Sequence, residues 1–150
     1  MEDQRSETLA HIKQVASFIN KIVLNLNIRA FDHDQSKLES PEREIFDEYT
    51  PRLRDTTYGS DKYNGYLKEM KVALDHHYKQ NRHHPEHHEN GVKDMNLIDL
   101  IEMLCDWKAA TMRHADGDIM KSIEHNQKRF GYSNELASIF KNTIRDLGWE

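Results

Sequence analysis

Histidine and aspartate residues recur along this sequence in places that suit the binding of metal ions. The chain has 150 residues and ten histidines, six of which lie between His76 and His88. The pair His33-Asp34 follows the apolar pair Ala30-Phe31, which places both side chains near a core. Burying an isolated imidazole or carboxylate is costly, whereas a divalent cation compensates both groups. We therefore expect a shared metal site.

Three further polar residues border the apolar surfaces of predicted helices. His11 lies at the edge of an apolar stripe, and His77 takes a position that its helical period reserves for an apolar residue. Asp106 shares a helix face with the small Ala110, which leaves room around its carboxylate. Each residue alone has a structural explanation, such as an interfacial histidine or an ion pair of Asp106 with Arg113. Their order along the chain favours a metal site.

Composition excludes several other kinds of site. Cys105 is the only cysteine, so the chain has no internal disulfide and no cysteine-based zinc site. The formal net charge is -5, and no block of lysine and arginine reaches the length typical of nucleic-acid binders. Long nucleic acid is therefore not an expected partner, and any metal must bind to histidines and carboxylates.

The chain reads as one domain over residues 1–150, a length that can bury a core around a small site. Residues Met1 to Thr8 are polar and resemble no signal peptide, and no apolar run approaches the roughly 18 residues needed to span a bilayer. We expect a soluble, cytoplasmic protein without a membrane partner. The sequence is compatible with a homo-oligomer.

Hydrophobic periodicity predicts an all-α fold of six to seven helices around the metal site, because apolar residues recur at three- and four-residue spacing and strand alternation is absent. Caps and breakers set the ends of the helices. The stretch from Arg82 to Gly91 contains Pro85 and is predicted to be a histidine-rich loop. The stretch from Thr56 to Ser60 is also predicted to be a loop. The first predicted helix runs from about Ser6 to Asn27, and a short helical piece follows over Asp32 to Lys37. The next helix is opened by Ser40-Pro41 and closed by Pro51, and another is capped by Ser60 and reaches His77. The last three run from Leu97 to about His114, from Asp118 to Phe130 with Gly131 as the end, and from Asn134 to Leu147 with Ser133 as the cap.

The order of these residues resembles the HD-domain superfamily of metal-dependent phosphohydrolases. The resemblance covers roughly Leu9 to Arg113 and is most similar to the HD-GYP branch, although Ser36 stands where a glycine is common and the GYP tripeptide is missing. The residues that carry it are His11, His33-Asp34 with Lys37, the paired histidines His76-His77 and His83-His84, and Asp106 within the segment Leu104 to Ala110.

The resemblance implies a set of metal ligands. Asp34 would bridge two ions, of which the second is held by His77 and one imidazole of the loop. His84 is favoured for that imidazole because Pro85 fixes the backbone after it, with His83 and His87 as alternatives. The cofactor would be one or two divalent ions of Fe, Mn, Zn, Co or Ni. The implied ligands of the first ion are His11, His33, Asp34 and Asp106.

The implied activity is hydrolysis of a phosphate ester in a small molecule, for example a nucleotide. Asp34 would be central to the reaction, Lys37 would bind phosphate, and an uncoordinated His83 would protonate the leaving group. Arg113 is a second candidate for binding phosphate, because it lies two helical turns beyond Asp106. Weaker candidates for substrate binding are Arg82, Lys128 and Arg129.

Three other functions are compatible with the same residues. A diiron oxygenase of the HD fold would use the same ligands, and a non-catalytic module would bind a nucleotide or a metal without turnover. A surface metal store would depend instead on His87 and His88, which we expect to be exposed and dispensable.

Overall fold

The structure is a computed structural model that describes residues 4–54, 56, 60–113 and 116–150. Its contacts divide the chain into two units, residues 1–33 and residues 34–150. No strand occurs among the described residues, which confirms the predicted all-α fold. The single domain over residues 1–150 stays a prediction. The α-helices are α1 (Gln4–Asp32), α2 (Glu42–Arg54), α3 (Asp61–Glu69), α4 (Lys71–Gln80), α5 (Leu97–Thr111), α6 (Ile119–Phe130) and α7 (Asn134–Asp146).

The first unit contains one helix that is longer than predicted. α1 continues five residues beyond Asn27, because residues 28–32 include neither proline nor glycine to stop it. It ends before Asp34, whose φ of 55° lies in the left-handed region that aspartate tolerates better than most residues. A 3₁₀ segment, Gln35–Leu38, replaces the second half of the short helix predicted over Asp32 to Lys37.

The helices α2 to α4 depart from the predicted boundaries in two places. Pro51 lies inside α2, so the prediction that it closes this helix is wrong. Proline has no backbone N–H, so α2 lacks one hydrogen bond at Pro51. The contacts of α2 with α4 compensate for the free energy lost there. The helix predicted from Ser60 to His77 is divided at the buried Met70 into α3 and α4. Ser60 caps α3 as predicted, accepting a hydrogen bond from the Tyr63 amide at 3.2 Å.

The helices α5 to α7 enclose the main apolar core of the described residues. Asp118 caps α6, Gly131 ends it with a φ of 67°, and Ser133 caps α7, which confirms these three predicted signals. The predicted end of α5 at His114 and Ala115, and the predicted loop residues 57–59, lie outside the described residues. The buried members of this core are Met103, Leu104, Ile119, Ile123, Tyr132, Ala137, Phe140 and Ile144.

The segment from Arg82 to Gly91 contains no α-helix, as predicted. Its regular pieces are the 3₁₀ turn Pro85–His87 and the first residue of a second 3₁₀ segment, Gly91–Asp94, which leads to α5. This part of the chain therefore connects α4, which carries His77, with α5, which carries Asp106. None of the helices in the described ranges combines the length and the apolar character required to cross a bilayer.

Candidate metal centre

Four side chains of the second unit come together at one place. They are Asp34, His77, His83 and His84, and each offers one ligand atom that lies within 4.8 Å of the others. Asp34 lies just before the 3₁₀ segment Gln35–Leu38, His77 lies in the last turn of α4, and the other two lie in the loop after α4. This set is called the His/Asp group below.

Local backbone geometry explains how each member reaches the group. The left-handed turn at Asp34 changes the direction of the chain directly before its side chain. His77 is 2% exposed and holds the core position that the periodicity of α4 predicts. His84 has extended backbone angles, φ -92° and ψ 129°, as expected for a residue that precedes a proline. The buried Pro85 then fixes the loop after it.

The imidazole rings turn their Nε2 atoms toward the same region. His77 Nε2 lies 3.4 Å from Asp34 Oδ1, and His83 Nε2 lies 3.5 Å from the same oxygen. The Nε2 atoms of His77 and His84 are 2.9 Å apart. Because three imidazole nitrogens and one carboxylate oxygen converge, the group has the form of a coordination site.

Glu42, at the start of α2, fixes the orientation of His77. Its carboxylate is fully buried, and Oε2 lies 2.8 Å from His77 Nδ1. The other oxygen lies 2.7 Å from Nδ1 of His76, and Ser36 Oγ donates to Oε2 at 3.0 Å. An ionised carboxylate only accepts hydrogen bonds, so the contact places the proton of His77 on Nδ1. Nε2 then keeps a lone pair for a cation.

Glu102, on α5, lies beside His83 at ion-pair distance, without the hydrogen bond that joins Glu42 to His77. Its Oε1 lies 3.0 Å from His83 Nδ1, and the imidazole itself is 1% exposed. Two histidines of the His/Asp group thus have a carboxylate behind the ring and Nε2 in front. This arrangement is common around metal-binding histidines, where the outer carboxylate sets the tautomer and raises ligand basicity.

Asn81 and Ser36 connect α4 to the segment that carries Asp34. Asn81 Nδ2 donates to Ser36 Oγ at 2.8 Å and to the His77 carbonyl oxygen at 2.9 Å. The Asn81 side chain therefore bridges the last turn of α4 and the 3₁₀ segment Gln35–Leu38. These hydrogen bonds hold the side chains of Asn81 and Ser36 in one arrangement.

The environment favours the neutral form of two imidazoles of the group, His77 and His84. Burial lowers the pKa of His77, and the positive charge of Lys37 adds to this effect, while Asp34 and Glu42 oppose it. Burial also lowers the pKa of His84, to about 3, with further lowering from His83 and His77. Neutral imidazole is the form that binds metals. Three imidazoles and one carboxylate therefore fit a divalent transition metal, and they do not select one such metal.

The first predicted ligand, His11, lies far from the second along α1. Both His11 and His33 belong to the first unit, and 22 residues separate them. At 1.5 Å per residue, the continuous helix places them about 33 Å apart. One ion therefore cannot bind both His11 and His33 of the same chain. The predicted set of His11, His33, Asp34 and Asp106 cannot form around a single ion with His11 included. His33 is half-buried and directly precedes Asp34, and its role as a ligand stays a prediction.

Asp106 lies at the border of the His/Asp group, whereas two loop histidines lie within it. Asp106 Oδ2 lies 3.9 Å from His83 Nε2, so this carboxylate borders the His/Asp group. The sequence predicted that one loop imidazole binds a metal, with His84 favoured. In the structure both His83 and His84 belong to the His/Asp group. Because His83 is buried within the group, the prediction that it is uncoordinated and donates a proton does not fit its position.

The remaining loop histidines have structural contacts. His87 Nδ1 donates to the Tyr78 carbonyl oxygen at 2.9 Å, and His88 Nε2 donates to the Arg82 carbonyl oxygen at 2.9 Å. Both residues are half-buried, so the prediction that they are exposed is wrong. Each ring thus donates to a backbone carbonyl oxygen that receives no hydrogen bond from a following helical turn, because the chain is irregular there.

The predicted phosphate-binding residues differ in their contacts. Lys37 Nζ lies 2.6 Å from Asp34 Oδ2, at the His/Asp group itself. Arg82 donates to both oxygens of the buried Asp99 at 3.3 and 3.1 Å, and Arg129 pairs with Glu86 at 2.7 Å. Arg113 and Lys128 are exposed. Arg82 and Arg129 thus pair with acidic side chains of other segments, while Lys37 lies at the His/Asp group.

Four residues around the group were not predicted as part of a site: Glu42, Glu102, Ser36 and Asn81. Glu42 follows Ser40-Pro41 and has the sequence context of an ordinary first-turn acid, so its burial left no local signal. Glu102 did leave one. It lies three residues after Asp99 and four before Asp106, so three carboxylates share one face of an otherwise apolar helix.

Comparison with known proteins gives one match. A family model described as "Family of unknown function (DUF5662)" matches residues 1–146. No curated protein and no solved structure matches the chain.

Proposed function

The chain belongs to the DUF5662 family, whose function is unknown, and we propose that it is a metal-dependent hydrolase of a phosphate ester in a small molecule, for example a nucleotide. The observation that carries the proposal is the convergence of Asp34 with three imidazoles, His77, His83 and His84. We also infer an HD-type centre, because the His33-Asp34 pair, the paired histidines and Asp106 occur in the order that resembles that superfamily.

The residues of the chain have separate tasks in this proposal. Asp34 and the three imidazoles would hold the cation, and Glu42 and Glu102 would keep His77 and His83 in the ligating tautomer. A divalent cation bound here would supply Lewis acidity, activating water and neutralising charge on phosphoryl oxygens.

Lys37 is the residue that we assign to the phosphate. Its ammonium group contacts Asp34 and lies 5.8 Å from the centre of the Phe46 ring, and its side chain is 39% exposed. It is therefore fixed at one end of the His/Asp group and still reachable from solvent. A lysine in this place supplies a positive charge for a phosphoryl oxygen once the cation neutralises Asp34.

The test begins with the metal content of the purified full-length chain, followed by phosphate release from a panel of nucleotides and simpler phosphate esters under anaerobic conditions. Asp34→Asn should lower both the bound metal and the rate, the rate by at least about 1,000-fold, because the variant loses the shared carboxylate ligand. Asp47→Asn, an exposed change on α2, is the matched control and should retain both.

Three outcomes would contradict the proposal. Dioxygen uptake by an iron-loaded protein without phosphate release would indicate an oxygenase. Tight retention of a nucleotide or a metal without turnover, for every metal tested, would indicate a binding module. Full activity of Asp34→Asn would show that the reaction takes place elsewhere. Nucleotide hydrolysis that requires Asp34 and a divalent metal would support the proposed hydrolase.

A further inference from the structure

α1 carries an apolar surface that its own unit leaves exposed. Within residues 4–32, all of which the structure describes, none is buried. Leu9, Ile12, Ile19 and Val23 are 49%, 55%, 54% and 46% exposed. Isolated helices gain most of their stability from packing of an apolar face, and exposed patches of this extent mark interaction sites.

Apolar side chains of α1 follow a seven-residue repeat, and all seven described next are exposed except the half-buried Leu26. One row contains Leu9, Ala16, Val23 and Ala30, and the second row contains Ile12, Ile19 and Leu26. The rows alternate at spacings of three and four residues, which is the pattern of the contact seam in paired helices. We call these seven residues the α1 seam.

We propose that the α1 seam binds the same seam of a second copy of this chain, with the two helices antiparallel and centred near Lys21. In this register Ile12 lies opposite Ala30 of the second copy. Ala16 then lies opposite Leu26 of the second copy, and Ile19 opposite Val23 of the second copy. Each layer combines a larger side chain with a smaller one, which fills the interface evenly.

A parallel pair would lack this complementarity. It would place Ala16 against Ala16 and Ala30 against Ala30, which leaves unfilled space in two layers, and would crowd Ile12 against Ile12. The arrangement of large and small residues therefore selects the antiparallel orientation.

Charge along the edges of the seam is compatible with the same pairing. Lys13, Asn20 and Asn27 lie along one edge, and Val15 and Ile22 lie along the other. In an antiparallel pair Lys13 faces the neutral Asn27 of the second copy, and the two Lys13 side chains lie far apart. Because no like charges meet, nothing opposes burial of the apolar rows.

The area available is sufficient for a dimer. A large aliphatic side chain buries roughly 60–120 Å², from its transfer free energy and the usual coefficient per unit area. Two copies of the seam with the apolar edge then bury on the order of 1,000 Å², the size at which specific interfaces begin.

The experiment uses the full-length chain. Light scattering coupled to gel filtration should give a dimer, and Ile19→Glu should raise the dimer dissociation constant at least about 100-fold, because it buries an unpaired charge in a central layer. Ser17→Glu adds the same charge on the outer side of α1 and should leave the dimer intact. Circular dichroism of both variants checks that their helices form.

Orientation is measured in the otherwise unchanged seam. A spin label at Ala10→Cys, in a Cys105→Ser background, lies on the outer row of α1 with Ser17 and should be offset by roughly 33 Å along the axis from its counterpart in an antiparallel pair. In a parallel pair the two labels would have no axial offset and would lie only about 15–25 Å apart, on the outer sides of two helices whose axes are about 10 Å apart. A monomeric chain, a dimer that tolerates Ile19→Glu, or the short label distance would each overturn the proposal.

Discussion

The second unit contains two buried regions of opposite character, and α5 contributes to both. Toward α6 and α7, Met103 and Leu104 join the apolar core. Toward α4 and its following loop, Glu102 and Asp106 border the His/Asp group. One helix thus supports an ordinary core on one face and a polar centre on another.

The two regions differ in what burial does to the free energy of folding. Each apolar side chain removed from water contributes roughly 1.5–3 kcal/mol to stability. Removing a carboxylate such as that of Glu42 from water instead costs several kcal/mol of stability. Its hydrogen bonds compensate for this cost without adding a net gain. A protein that needed stability alone could fill this space with apolar side chains. The proposed metal binding would account for a polar centre at this place, and the following predictions test the difference between the two regions.

The largest effect on stability is expected from the apolar core. Ile144→Ala removes a fully buried side chain of α7 and should lower the free energy of unfolding by about 2–5 kcal/mol, because it loses burial and leaves a cavity. Chemical denaturation measures this loss with a chelator and again with added metal, and the two values should agree. Ile139→Ala, an exposed change on the same helix, should cost less than about 0.5 kcal/mol. A loss at Ile144 that depends on metal would show that the two regions are not independent.

An intermediate effect is expected at Glu42. Glu42→Gln keeps the shape of the side chain but removes the charge behind His77, so metal affinity should fall about 10- to 100-fold. Competition with a chromophoric chelator measures the affinity directly, without reference to any enzymatic activity. Glu44→Gln, on the exposed side of the same first turn, is the control and should bind metal as the unchanged chain does. Equal affinity in all three proteins would remove Glu42 from the centre.

The smallest effect is the pH dependence contributed by His84 in the metal-free protein. Its pKa is about 3 in the folded chain, so between pH 6.5 and pH 3 the unfolded chain binds a proton that the folded chain does not. Stability should therefore fall as the pH decreases through this window, by about 1–2 kcal/mol between pH 7 and pH 5.

Urea denaturation across this pH window, with a chelator present, makes the measurement. His84→Gln should flatten the dependence. Lys79→Gln changes an exposed side chain of α4 and should keep the slope. A steeper slope in His84→Gln would reverse the assignment of His84 as a buried neutral base.

Much of the local structure could be predicted because its causes are local. Ser60, Asp118 and Ser133 begin helices through their own side-chain oxygens, and Gly131 ends one through a left-handed φ. The position of His77 on a core stripe followed from helical period alone. Pro51 shows the limit of such local prediction. Proline alone predicts a helix end, but α2 continues past Pro51 because of its packing.

The sequence by itself determined the helical class, most helix ends and the residue types available for a metal. Those features depend on propensity, periodicity and neighbouring side chains. Only the tertiary structure decided that His83 and His84 enter the group together, that Glu42 and Glu102 stand behind two of its rings, and that one helix keeps His11 far from His33. These features depend on where elements distant in the chain meet, and on whether a turn interrupts α1. Apart from the row of carboxylates on α5 that includes Glu102, no local spacing of residues contains that information.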